Sequence, residues 1–141
     1  MTSRKIARDY LTKVETRLEA LRLFLDRGRN DDVVREAHEA IELLLKGALR
    51  FIGIDPPKRH DPSSVLLRHL DRLPAAWRDR AEAIQSLSRR LFSERGLAFY
   101  GDEDDLSPPS ELFDRTEAEE AIRGVEELLD LYRDLLETTH D

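Results

Sequence analysis

Apolar residues recur along this chain at three- and four-residue steps, the spacing of one helical face. Ile6, Tyr10, Val14, Leu18, Leu21 and Leu25 form a first stripe, and Gly28 predicts its C-terminal stop. A second helix starts near Asn30–Asp31, either of which can cap it. Its inner face reads Val34, Ala37, Ile41, Leu44, Ala48 and Phe51. It ends near Gly53, because Asp55-Pro56-Pro57 cannot continue a helix. A short third helix is predicted from Pro62 to about Leu73, with Asp61 as its cap. Beyond Pro74 a fourth helix carries Trp77, Ala81, Ile84, Leu87 and Leu91 on one face. The stretch GLAFYGDEDDLSPPSELFD then breaks the period and reads as a long acidic loop over about 96–115. Thr116 with Glu119 has the pattern of a capping box for the last helix. That helix buries Ala121, Ile122, Val125, Leu128, Leu129, Tyr132, Leu135 and Leu136.

No segment alternates like a strand, and no repeat is present. The expected fold is all-α: an up-and-down bundle of four long helices plus one short helix, in a single domain over residues 1–141. Gly47 and Gly124 fall inside helices, where each costs about 1 kcal/mol relative to Ala. Close approach of neighbouring helices is the reading for both.

Composition narrows the chemistry. The 141 residues are 40% apolar and 38% charged, apolar enough for a folded core. With no cysteine, thiolate nucleophiles, disulfides, cysteine zinc sites and iron–sulfur clusters are excluded. The most apolar stretch, IELLLKGALRFIGI, is interrupted by Glu42, Lys46 and Arg50, so no membrane span is expected. The N-terminal residues lack the apolar core of a secretory signal. A soluble cytoplasmic protein is the expectation. The net charge of −7 hides an asymmetry. Residues 1–101 carry 20 Lys and Arg against 15 Asp and Glu, whereas residues 102–141 carry 3 against 15. A polyanionic partner therefore has a basic part of the chain to meet.

Several polar residues invite a chemical reading. His38, Glu42 and Lys46 follow one another at four-residue steps on the second helix. They form either a polar groove in which Lys46 meets phosphate, or a structural ion pair at the edge of the core. His60-Asp61 is either an acid–base pair or a helix cap beside a loop histidine. Arg89, Arg90 and Arg95 either answer a helix dipole or form a basic patch for a phosphate backbone. Phe92, Phe99 and Tyr100 suit core or interface. The four histidines are dispersed, and GDEDD lacks the spacing of a calcium loop, so no metal site and no cofactor are expected.

The stretch EAHEAIELLLKGALRFIGIDPPKRHDPSSVLLRHL resembles the HEPN domain, an all-helical family of prokaryotes and higher eukaryotes. The matching positions are Ala37, Ala40, Glu42, Lys46, Gly53, Pro56, His60 and Asp61. Further on, Arg95, Tyr100-Gly101-Asp102 and TEAEEAI from Thr116 are similar to the family's second half. Together the resemblance spans roughly residues 5–137. It implies a homodimer, association with RNA or nucleotide, and, for many members, pairing with a minimal nucleotidyltransferase in a toxin–antitoxin arrangement. Some members are metal-independent ribonucleases that use an arginine and a histidine separated by four to six intervening residues. The arginine offsets charge on the scissile phosphate, and the histidine moves the proton of the ribose 2′-hydroxyl. Here Tyr100 stands where that histidine is expected after Arg95. Tyrosines ordinarily titrate near 10 and are poor bases at neutral pH. Arg133 and His140 match the spacing by number. With the arginines this frequent, about 1.6 such matches are expected by chance.

Two functions follow as expectations. The first is a binding or interaction module whose RNA or nucleotide contacts come from Lys46, Glu42, His38, Arg89 and Arg90. The second is an endoribonuclease toxin with a degenerate motif, Arg95 and Tyr100 taking the catalytic positions. An antitoxin or structural subunit, its acidic last helix shielding a basic partner, is a third.

Overall fold

The computed structural model describes residues 2–138. Six α-helices occur among them: α1 (Thr2–Asp26), α2 (Asn30–Phe51), α3 (Ser63–Leu67), α4 (Ala75–Asp79), α5 (Ala81–Tyr100) and α6 (Arg115–Glu137). The four long ones make the bundle. No strand is present among the described residues, only one isolated bridge between Asp102 and Ser107.

Both predicted glycine stops hold for the same reason. Gly28 and Gly53 have φ +72° and +85°, a left-handed conformation that costs glycine little. At each, two backbone bonds close the helix end: Gly28 to Leu25 and Arg29 to Phe24, then Gly53 to Arg50 and Ile54 to Leu49.

α2 is the centre of the molecule. It packs against α1, α5 and α6, and α6 also packs on α1. Val33, Val34, Ala37, Ala40, Ile41, Leu44, Leu45, Ala48 and Leu49 of α2 are all buried. Ala7, Val14, Leu18 and Leu21 meet them from α1, and Ala121, Val125, Leu128, Leu129 and Tyr132 from α6. Tyr132 crosses the core and donates its hydroxyl to the Ala7 carbonyl. Burial pushes that hydroxyl's pKa far above the ordinary tyrosine range.

Element boundaries differ from expectation in five places. α2 begins at Asn30 with Arg29 in the cap position and no side-chain cap. Asp31 and Asp32 instead sit in the first turn, where they favour the helix dipole and pair with Arg29 at 2.9 and 3.3 Å. The predicted third helix is shorter, ending at Leu67, with a 3₁₀ turn at Leu70–Arg72. Leu73 is extended because it precedes Pro74. The fourth helix is two pieces, split where Arg80 leaves helical geometry (φ −105°, ψ 5°) with neither Pro nor Gly to mark it.

The loop expected over 96–115 is shorter. α5 runs through Gly96 to Tyr100 and stops at Gly101, whose φ is +81°. One helical glycine costs only about 1 kcal/mol, and continuing the helix places Ala98 in the core. α6 starts at Arg115, not at Thr116. Its capping box is Asp114 with Glu117: Glu117 N–H donates to Asp114 at 2.8 Å, and Asp114 N–H donates to Glu117 at 3.1 Å. Thr116/Glu119 satisfies the same spacing, but buried Phe113 stands in the staple position only for the earlier register.

Gly47 and Gly124 are both explained by close approach. A Cβ at Gly47 would overlap the Tyr132 hydroxyl, and one at Gly124 would overlap the end of the Leu87 side chain. Tyr132 is held by its bond to Ala7, whereas Leu87 is half-buried and free to turn. Gly47→Ala should therefore cost about 1–3 kcal/mol in urea unfolding, outweighing its gain in helix propensity. Gly124→Ala should be near neutral. Equal effects at the two positions would contradict this account of the packing.

Candidate functional site

α2 leaves one polar stripe, His38, Glu42 and Lys46, facing the segment that returns from Ile52 to Pro62. Lys46 Nζ donates to Glu42 Oε2 at 2.8 Å. The other oxygen of that carboxylate, Oε1, accepts from His60 Nδ1 at 3.2 Å. His38 Nε2 lies 3.2 Å from the His60 carbonyl. A carbonyl only accepts, so His38 carries its proton on Nε2, and its Nδ1 is left buried without a partner. The ion pair at the edge of the core forms, and its carboxylate also holds the loop histidine.

His38 is only 1% exposed. Burial holds its pKa below the ordinary histidine range, the Glu42 carboxylate works against that, and the Arg95 guanidinium adds to it. Asp61 stitches the same loop to α5. Its Oδ1 accepts from Ser63 N–H at 3.1 Å, Ser63 Oγ at 2.7 Å and Ser88 Oγ at 2.7 Å. Burial pushes this carboxyl up, but those bonds and the nearby Arg89 charge hold it below the usual range. Pro62, not Asp61, stands in the cap position of α3, with no side-chain cap; Asp61 folds the turn before it and reaches across to α5. Ser88, fully buried, is the residue sequence reasoning passed over. Its only signal was a small polar side chain between Ile84 and Leu91 on an apolar face.

Arg95 comes to this cluster from α5. It is half-buried, and it makes no hydrogen bond or ion pair among the described residues. Phe92, one turn earlier, has its ring 6.0 Å from that of His38. Tyr100 does not join them. Five residues further along a helix lies about 140° around the axis. Tyr100 is accordingly 70% exposed, packed edge-on against Phe99 at 4.8 Å. The imidazole that Arg95 influences is His38, from a different helix. Arg89 is exposed near Asp61. Arg90 is engaged with Glu94 at 3.8 Å and Glu120 at 3.7 Å.

Other candidates have local roles. In the acidic loop, Asp102 Oδ1 accepts from the Asp104 and Asp105 N–H groups at 3.0 and 3.2 Å. No group of three or more metal-ligating side chains occurs among the described residues. Arg133 pairs with Glu15 at 3.0 Å, and His140 lies outside the described residues. No described helix is long and apolar enough to cross a membrane.

An all-helical bundle with this polar seam between its second helix and the helix that follows the loop defines the class. The model of the HEPN domain family matches residues 7–135, and the chain belongs to that family. Comparison with curated proteins and with solved structures gives no match. Membership supports a general nucleotide- or RNA-associated role.

The depressed His38 pKa has a definite sign. Below about 6.5 the unfolded chain takes up a proton at His38 that the folded chain refuses, so stability present above that pH is lost as pH falls. The urea midpoint should drop between pH 7 and pH 5.5. His38→Gln should remove most of that slope; an unchanged slope in the variant would place the titration elsewhere.

Proposed function

We propose that this chain is a HEPN-domain binding module that contacts RNA or nucleotide as a homodimer, paired with a minimal nucleotidyltransferase in a toxin–antitoxin-like arrangement. The observation that carries the reading is Arg95: a half-buried cation without a carboxylate partner among the described residues. It stands on the helix that also exposes Arg89, Phe92 and Phe99. Guanidinium groups on one helix suit the phosphates of an RNA backbone. Filter binding should give a salt-dependent affinity that weakens about tenfold in Arg95→Ala. No binding at low salt, or no effect of the substitution, would remove this face from RNA recognition.

The homodimer is supported by Gly96. Space around it is open, so nothing within the protomer explains a glycine at an exposed helical position. Exposed Phe92, Leu97, Phe99 and Tyr100 surround it. A second copy of α5 crossing there would use the missing side chain. Gly96→Ala should raise protomer stability by about 1 kcal/mol while weakening the dimer in light scattering. A monomer at every concentration would refute the assembly.

A second reading has its own observation. Arg95 is a half-buried cation free to meet a scissile phosphate, whereas His38, 1% exposed, is shut away from any ribose. In a metal-independent endoribonuclease Arg95 would then offset the charge on that phosphate, with the exposed Tyr100 as the motif's second member. RNA incubated in chelator should be cleaved, and Arg95→Ala should abolish cleavage. Intact RNA throughout leaves the binding module alone.

A further inference from the structure

We infer that a cavity at the C-terminal end of α2 binds a phosphate dianion, free or as the terminal group of a small ester. The cavity has a volume of about 420 Å³ and is lined by Lys46, Arg50, Lys58, Tyr10, Asp55 and the two prolines before Lys58. That volume lies within the range of small-molecule sites, so a phosphate fits with room for an organic group attached to it.

Lys46 is paired with Glu42, so Arg50 and Lys58 against Asp55 set the ligand's sign. Asp55 forms no ion pair with any of the three within 4 Å among the described residues, although all four line the same space. Arg50 and Lys58 have no ion-pair partner among those residues either. Arg50 stands in the last turn of α2, where its positive charge also favours the helix dipole, and its guanidinium has no carboxylate partner among the described residues. Lys46 spends one of its three donors on Glu42 and keeps the others.

The walls are held in place. Pro56 and Pro57 fix the backbone immediately before Lys58 and supply no competing N–H groups. Arg50 is fixed by the ordered end of α2, where Ile54 and Gly53 close the helix. A guanidinium fork and two ammonium groups converging on one space match the oxygens of a dianion better than the two oxygens of a carboxylate. Tyr10, from α1, offers the cavity an aromatic wall for whatever the phosphate is attached to.

This place is distinct from the α5 face. Arg50 lies twelve residues beyond His38 along α2, about 18 Å of helical rise. RNA binding lost with Arg95 and phosphate binding lost with Arg50 are therefore separate results.

Isothermal titration of the full chain at low ionic strength with inorganic phosphate, AMP and adenosine tests the proposal. Phosphate and AMP should bind and adenosine should not. Arg50→Gln should weaken phosphate about tenfold or more, and Lys58→Ala, at an exposed position, should weaken it severalfold. Arg123→Ala, exposed on α6, should leave it unchanged. Circular dichroism checks that each variant folds. AMP tighter than phosphate identifies an ester as the ligand, and equal affinities identify the free ion. No phosphate binding at millimolar concentration overturns the site. So does binding that survives both Arg50→Gln and Lys58→Ala, or adenosine competing as well as AMP.

Discussion

Burial of α2 on three sides governs this molecule. A helix covered by α1, α5 and α6 has almost no face left for water. Its remaining polar residues include the ion-paired Arg35 and Glu39 and the stripe of His38, Glu42 and Lys46. Those residues cannot simply be solvated, so the chain must bring partners to them. The loop from Ile52 to Pro62 does so. Glu42 binds Lys46 on its own helix and His60 on the loop, and His38 reaches the carbonyl of the same loop residue. The loop is then stitched to α5 through Asp61 and Ser88.

This arrangement separates two kinds of positive charge. Arg90 and Arg133 have carboxylate partners and serve mainly the fold. Arg95 and Arg50 are half-buried without one. Holding a cation in partial burial with no counter-charge is costly unless an anion outside the chain completes the pair. The acidic residues that could neutralise them are concentrated beyond position 101. There they pair with the exposed arginines of neighbouring helices, as Glu120 does with Arg90 and Glu126 with Arg22.

Much of the fold was legible because helices report themselves locally. The stripes of α1, α2 and α6 and the stops at Gly28 and Gly53 followed from spacing and turn chemistry. The errors arose where two local signals competed. Gly96 looked like an end, yet the helix continued because Ala98 had a core to enter. Two capping boxes overlapped by two residues, and buried Phe113 selected the earlier one. The break at Arg80 carries no local signal at all.

The candidate site was legible only in part. Its members on α2 share a helix, so a four-residue step was enough to place His38, Glu42 and Lys46 side by side. By itself the sequence determined the helical class, the glycine-closed ends, the polar stripe and the split of charge along the chain. Only the tertiary structure decided that the Arg95 charge acts on His38 while Tyr100 turns to solvent, that Ser88 serves Asp61, and that Lys46, Arg50 and Lys58 share a cavity. Those neighbours lie on different segments, and their meeting depends on how the apolar stripes dock. Helical periodicity states which face is buried but not which partner covers it.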